Sequence, residues 1–430
     1  MLANLLIGLL ALCIVVLFVG EAGVLRSLLA GFSYLRRLRH RGSVRFDANT
    51  ILKSPLVPSV SVLVALPDAS PACRQSVHDL VKLHYGDHEV LAVLDGPTQD
   101  ELALWIQEFR LFRSSRGASG DIPTGKVVAV YESGEPYRLM VLECEKAGPV
   151  SCLNAALNVA CAQLIGVADP RSLISPDTLI RVVMPFLEKP ATTVAACVGV
   201  PPPGGETYPA RFRTLECVRL WLGRAAGLAS RGAALPPPGA FLLFDRGALR
   251  EANGFATSAF EMIFHLHALN RLARRQYGVE WAPQDVVTPL SPTTLSELRR
   301  VTCADQLEVR RTVKRHFPVL GSLDALGRIA MPGLIVASMV RPVAETVGLA
   351  AAAFGLLQGL VEWRLAGLLI LVSCVFGTFN SMLAVLLREY VEELERDPAE
   401  LLRLFLAAIP ENFGYRQLRN LWLIGGLFER

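Results

Sequence analysis

Three aspartates stand where a sheet would present them to a ligand. Asp68, Asp95 and Asp169 each come directly or very shortly after a short apolar run, at 60–66 (VSVLVAL), 89–94 (EVLAVL) and 164–168. Runs of this length, rich in Val and Leu and closed by Pro, Gly or Asp, read as buried strands. Sheets built from such strands take their ligands at the carboxyl ends. Three carboxylates there suit a metal-bound diphosphate, because hard divalent cations prefer oxygen ligands. Glu261 and His265 are four apart on a predicted helix and share a face with no third ligand beside them, so His265 and His267 read as packing or surface residues. Asp177 opens another helix, where a carboxylate complements the dipole.

The elements that must position these residues alternate along the chain. Helical spacing at 75–83 follows the first strand, and a strand, helix and strand in that order make a right-handed βαβ unit. A further run lies at 126–131. Helices are expected at 152–164, 176–187, 211–229, 258–275 and 294–316, with strands at 192–200 and 240–244. Alternation of buried strands and helices predicts an α/β architecture with a mostly parallel sheet covered on both faces.

Apolar segments flank this region. Residues 1–20 carry no charge, and apolar character returns at 330–387. Hydrophobic residues make up 52% of the chain, too many for an ordinary cytosolic enzyme, and the net charge of +4 is too small for a nucleic-acid binder. A spanning helix needs about 20 apolar residues. Arg26, Arg36, Arg37, Arg39, Arg41 and Arg45 follow the first run and none precedes it, which places the N-terminus outside and the α/β region in the cytoplasm. A signal peptide would want a basic start and a small-residue cleavage site. The stretch 329–340 is short and is followed by Arg341, Pro342 and Glu345, so it reads as interfacial or re-entrant. The stretches 347–361 and 365–387 read as spans, with Trp363 at headgroup depth. Residues 401–408 fit either the membrane surface or a core helix. Arg310, Arg311, Lys314 and Arg315 fit either lipid-linked phosphates or a plain basic stripe facing the membrane, and Arg271, Arg274 and Arg275 a solvated helix end. Nine scattered cysteines without a CxxC pair argue against a disulfide framework or zinc and fit a reducing compartment. The expected divisions are a transmembrane helix (1–25), a basic juxtamembrane linker (26–57), the α/β domain (58–318), a membrane region with an interfacial helix and two spans (319–390), and a cytosolic tail (391–430).

Several segments, in order, resemble membrane-bound family-2 glycosyltransferases of the processive type, the synthases of cellulose, hyaluronan and poly-N-acetylglucosamine. They are Ala65-Leu66-Pro67-Asp68; 90–98 (VLAVLDGPT); Lys146-Ala147-Gly148 followed by Leu153-Asn154-Ala155-Ala156-Leu157; 172–187 (SLISPDTLIRVVMPFL); 239–255, ending Asn253-Gly254-Phe255; and 411–417 (ENFGYRQ). The resemblance implies a GT-A-like domain, Rossmann-like, cytosolic and flanked by transmembrane helices. It implies a cytosolic nucleotide-sugar donor and a lipid or polysaccharide acceptor at a bacterial-type inner membrane. Pro67, Asp68, Asp95 and Lys146 would bind the nucleotide-sugar. Asp169 would bind Mg2+ or Mn2+, which neutralises a diphosphate leaving group. Glu261 would stand as the catalytic base, and Gln306 and Arg310 would hold the diphosphate and cap the acceptor channel.

The chain departs from the family pattern at the chemistry itself. The metal triplet reads Asp169-Pro170-Arg171, with an arginine in place of the second carboxylate. Arg171 could itself neutralise a diphosphate, since guanidinium forks suit phosphate oxygens. Phe260-Glu261 replaces Glu-Asp, Leu94-Asp95 replaces Asp-Asp, and Gln306-Leu307-Glu308-Val309-Arg310 carries its arginine one residue late and lacks the tryptophan. Two readings stay open: an active transferase, and a catalytically inactive subunit of a polysaccharide synthase or secretion assembly. Either would work with other subunits or as a homo-oligomer.

Overall fold

The computed structural model describes residues 1–40, 57–117, 120–134, 138–199, 201–202, 204–231, 233–237, 239–272, 278–282, 287–320, 326–392 and 398–428. Arg41, Arg45, Arg274 and Arg275 of the basic clusters lie outside them. The described residues fall into two compact units: one of residues 1–40, 201–234 and 291–430, the other of residues 41–200 and 235–290.

The second unit is built on a sheet. Its strands are β1 (Val60–Leu66), β2 (His88–Asp95), β3 (Leu111–Arg113), β4 (Val127–Ser133), β5 (Leu139–Cys144), β6 (Leu164–Val167), β7 (Ser172–Ile174), β8 (Thr193–Val198), β9 (Phe241–Asp245), β10 (Gly278–Ala282) and β11 (Val287–Pro289). Nine of them form one sheet in the order β10-β8-β9-β6-β1-β2-β5-β4-β3, and β7 and β11 make a separate antiparallel pair. β1 is parallel to both neighbours, with Val62 opposite Val90 on one side and Gly166 on the other. Its Val and Leu side chains are buried on both faces, which is why the run is continuously apolar rather than alternating.

The sheet is mixed: seven of its nine strands run in one direction and two are reversed. β9 runs antiparallel between β6 and β8, and β4 runs antiparallel to β5 and β3. Strand direction depends on where the intervening chain returns, which an apolar run does not encode. The run 139–144 (LMVLEC), passed over in the sequence, is a strand beside β2, and its parallel partner register ends at Asp95 opposite Cys144. Helices cover the sheet with recognisable starts. Ser70 caps Pro71–Val81 by accepting from the Cys73 amide, and Thr98 and Glu101 form a reciprocal capping box on Gln99–Phe109.

The first unit is helical. Among the described residues, three helices are long and apolar enough to cross a membrane: Leu2–Arg37, Leu326–Leu357 and Trp363–Val391. The N-terminal helix continues to His40, so Arg26, Arg36, Arg37 and Arg39, read as linker, are helical. The stretch 329–340, read as a separate interfacial piece, is part of one helix through Leu357. Pro342 is tolerated there because the residues before it keep helical angles with π-type turns at Val336–Val340. The helix Tyr208–Arg219 and its π-helical extension Leu220–Ala226 belong to this unit, although their amphipathic sequence resembles a cover for the sheet. They meet the N-terminal helix at small residues: a Cβ on Gly31 would lie 2.0 Å from the Leu222 carbonyl oxygen, and one on Gly227 would lie 2.7 Å from the Ser27 oxygen. Small residues permit this backbone approach.

Gly31→Ala therefore should lower the thermal stability of the purified protein in detergent, by about 1–3 kcal/mol as for an overpacked core. Gly8→Ala, where nothing lies within 4 Å, should leave it unchanged. Equal melting of the two variants would remove the close-contact argument.

Candidate functional site

The four central strands β6, β1, β2 and β5 run in one direction, so their carboxyl ends share one edge of the sheet. Asp95 closes β2, and Asp169, Asp68 and Lys146 follow the ends of β6, β1 and β5. β1 lies between strands reached by connections leading to opposite sides, which is the switch point where open α/β sheets form a ligand crevice. β1 and β2 end level, Leu66 opposite Leu94. The Ala168 amide donates to the Leu63 carbonyl at 3.0 Å, which fixes the start of the Asp169 turn against β1.

Asp95 does more than end a strand. Its carboxylate accepts from the Ala147 amide at 2.8 Å and the Gly148 amide at 3.1 Å. Gly148 is the N-cap of Pro149–Val159 and has no side-chain cap of its own. The aspartate of β2 thus supplies the negative charge that a helix N-terminus favours, from another strand. Gly96 completes the joint. It has φ +66°, and a Cβ there would lie 2.7 Å from that of Lys146, so only glycine lets the two turns meet. Cys144 and Cys152 are buried in this region. Burial first, then the charge of Asp95, pushes their thiols up to about 11 and about 12, so both are core thiols at neutral pH.

Pro67 and Asp68 form an exposed turn. Asp68 accepts from the Ser70 amide at 3.0 Å and from the Cys73 thiol at 3.3 Å. The Ser70 hydroxyl and then its amide hold the carboxyl below its ordinary 3.8. Asp169 is tied to its own triplet: the Arg171 amide donates to it at 2.9 Å and the guanidinium lies 3.4 Å away. The Arg171 backbone is held from the other side by the Leu290 amide, at 2.9 Å, beside the β7–β11 pair. Ser172 donates its hydroxyl to the Gly239 carbonyl at 2.8 Å. The Arg171 side chain itself is 67% exposed. Among the described residues no three His, Cys, Asp or Glu side chains gather as a metal-binding group.

Glu261 differs from the aspartates. It is 3% exposed, in the first turn of Ala259–Leu272, with its amide donating to the Ser258 hydroxyl. Asp177 stands at the N-cap of Thr178–Glu188 without capping it, and pairs with His84 at 3.0 Å. Gln306 and Arg310 belong to the helical unit. Gln306 donates to the Ser338 carbonyl at 2.5 Å and Arg310 to the Leu423 carbonyl at 2.6 Å. Burial lowers the pKa of Arg310. The sheet unit therefore gathers Pro67, Asp68, Asp95, Lys146, Asp169 and Arg171 along one edge.

What the sequence does not reveal is how these turns are supported: Asn154 and Asn253-Gly254-Phe255 enter it only as resembling segments, and Asn158 is passed over. Asn154, buried, accepts from the Phe255 amide at 2.8 Å and donates to the Phe255 carbonyl at 3.0 Å and the Pro123 carbonyl at 3.2 Å. Asn158 bonds both the amide and the carbonyl of Ile122. A Cβ on Gly254 would strike Ile122 and Asn154. The segments around Asn154 and Asn253-Gly254-Phe255 are thus two halves of one joint. Two asparagines at i and i+4 inside an apolar helix were the available signal.

The sequence matches no protein-family profile and no curated protein. Among solved structures, the mannosyltransferase PcManGT from Pyrobaculum calidifontis, in complex with GDP-Man and Mn2+, matches with a TM-score of 0.50 and 17% identity, over 92% of this chain and 99% of that one. S. aureus TarS 1–349 in complex with UDP-GlcNAc aligns at 14% identity over 84% and 92% of the two chains, with a TM-score of 0.37. The likeness to the mannosyltransferase shows the fold: the chain has a GT-A-like glycosyltransferase fold, with an α/β mixed sheet and long apolar helices.

Two measurements check the site. Asp95→Ala should raise hydrogen exchange at the Ala147 and Gly148 amides by about 100-fold or more, as a local opening, with β1 and β2 unchanged; retained protection would show that the carboxylate does not hold the turn. The depressed Asp68 value means that its contribution to stability is complete above about pH 4, the unfolded range, and is lost as pH falls through the folded value. A carboxyl NMR titration should find Asp68 ionised below 3.8 and Ser70→Ala returning it upward; coincident curves would dismiss the Ser70 contacts.

Proposed function

We propose that this chain is a membrane-anchored glycosyltransferase that takes a cytosolic nucleotide-sugar and builds a polysaccharide or a glycolipid at the inner face of a bacterial-type plasma membrane. The observation that carries this reading is the common edge formed by Pro67, Asp68, Asp95, Lys146, Asp169 and Arg171 within a GT-A-like fold. In this reading the three apolar helices are spans, residues 1–25, 319–390 and their neighbours anchor the enzyme, and the sheet unit is cytoplasmic.

Asp68 and Asp95 are assigned to the nucleotide, the latter chiefly by holding the Lys146 turn in place. Lys146 and Arg171 are assigned to the diphosphate. The residues present do not fit a divalent cation held by the protein: the second carboxylate of the triplet is Arg171, and its guanidinium already pairs with Asp169. No step is therefore assigned to Mg2+ or Mn2+. The Arg171 guanidinium, carried on a backbone bonded on both sides, can neutralise the departing diphosphate instead. In the transfer, the bond from the sugar anomeric carbon to the diphosphate oxygen breaks and a bond to an acceptor oxygen forms. The acceptor hydroxyl proton passes to a carboxylate, for which Glu261 is the candidate. Gln306 and Arg310 are assigned to the acceptor side, where both now bond backbone carbonyls.

A second reading has its own observation. The carboxylates of Asp95 and Asp169 are committed to contacts within the chain, as in a head that serves as a docking subunit of a synthase or secretion assembly.

Equilibrium binding and turnover of GDP-mannose and UDP-GlcNAc, with Mn2+ and with EDTA, separates the two. The transferase reading expects binding that survives EDTA and weakens about 10- to 100-fold in Arg171→Ala, the worth of a charge-assisted contact. Glu261→Gln should bind normally and lose turnover. An intact protein that neither binds nor turns over any nucleotide-sugar would leave the docking subunit.

A further inference from the structure

We propose that Pro398–Phe428 is a re-entrant helical hairpin: it dips from the cytoplasmic side into the inner half of the bilayer, where Arg416 locks it to all three spans. The proposal rests on reading the three apolar helices as spans. It replaces the cytosolic tail expected for residues 391–430.

The hairpin has two arms, Pro398–Pro410 and Arg416–Phe428. Between them Phe413 and Gly414 leave helical geometry, Gly414 at φ +139°, and the Gly414 amide is satisfied by the Gln417 side chain at 2.7 Å. Each arm has 13 residues, or about 20 Å. That is too short to cross a hydrocarbon core of about 30 Å and long enough to reach its middle.

The arms are tied to defined positions along the three helices read as spans. Arg416 bonds the Ser373 hydroxyl at 2.8 Å and also its carbonyl. Ser373 lies ten residues, about 15 Å, from the Trp363 end of its helix. Arg416 also meets Glu345 at 3.1 Å and Glu21 at 3.0 Å, so one guanidinium joins three helices. Glu21 is held as well by Arg341 and by Asn380 at 2.7 Å, and Glu345 by Gln417 at 2.8 Å and Asn420 at 2.9 Å. Two carboxylates face two guanidiniums, so the buried cluster carries no net charge. Only paired charges of this kind are tolerated at membrane depth. Nearer the inner boundary, Glu411 forms a fork with Arg219, at 2.9 and 2.5 Å, and accepts from Ser381 at 2.9 Å.

The outward face has the matching chemistry. Leu402, Leu406, Ile409 and Phe413 recur at i, i+4, i+7 and i+11 and stay exposed, Leu406 at 57% and Phe413 at 48%. Leu404, Ala407 and Ala408, on the other face, are buried against Val385 and Leu215. An apolar stripe on an element pinned at that depth faces acyl chains of the inner leaflet.

Site-directed spin labels in the full chain, with Cys161 and Cys303 changed to Ser and the protein in lipid vesicles, test this. Labels at Leu402→Cys, Leu406→Cys and Phe413→Cys should show oxygen accessibility rising, and accessibility to a water-soluble nickel complex falling, in that order. Asp100→Cys reports water and Leu12→Cys reports the first span; a nickel-accessible Leu12 label would sink the span reading itself, separately from the hairpin. A Phe413 label as open to nickel as Asp100 overturns the hairpin. Shielding from both reagents assigns the stripe to a protein contact and overturns it too. Arg416→Gln should raise nickel accessibility at Phe413 at least tenfold with Leu12 unchanged, and no change there would refute the lock. Should that variant fail to accumulate, the gradient in the chain with native Arg416 decides alone.

Discussion

The structure depends first on β1. It pairs in parallel with both neighbours, and six of its seven residues are buried. Parallel pairing puts the carboxyl ends of β6, β1, β2 and β5 on one edge of the sheet. The edge so formed is where Asp68, Asp95, Lys146 and Asp169 emerge. Move β1 by one residue and each of its side chains would turn to the other face, and Asp68 would be displaced from the edge with it.

On that edge the charged groups act on the chain before they act on any ligand. Asp95 replaces a missing helix cap, Asp68 folds back on Ser70, and Asp169 steadies Arg171. Such contacts cost a site some freedom and give it order. Arg171 shows the consequence: with its backbone bonded on both sides and its side chain open, it presents a positive charge where the resemblance anticipates a carboxylate. The chemistry proposed for the site follows from that exchange of sign.

The helical unit solves a different problem. Glu21, Arg341, Glu345 and Arg416 are charges placed among apolar helices, and each is paired and hydrogen-bonded. Removing any one would strand its partner in low dielectric, a larger loss than the pair itself contributes. Close packing at Gly31 and Gly227 sets the helix spacing.

What could be read in the chain by itself was local. Apolar runs announced β1, β2, β6 and β8; Pro, Gly and Asp marked their ends; long apolar stretches announced the first and third membrane-length helices and the C-terminal half of the second. These signals arise between residues a few positions apart, within reach of one strand or one helical turn. The strand LMVLEC, the antiparallel direction of β9 (itself expected as a strand) and the membership of Tyr208–Arg219 in the helical unit were not legible, because each depends on which distant element lies beside an apolar face. Tertiary structure alone decided that Asp95 meets amides 52 and 53 residues away and that Arg416 meets a carboxylate 395 residues away. A charge carries no address in the sequence; its partner is chosen by folding, which brings opposite charges together wherever burial would otherwise leave one alone.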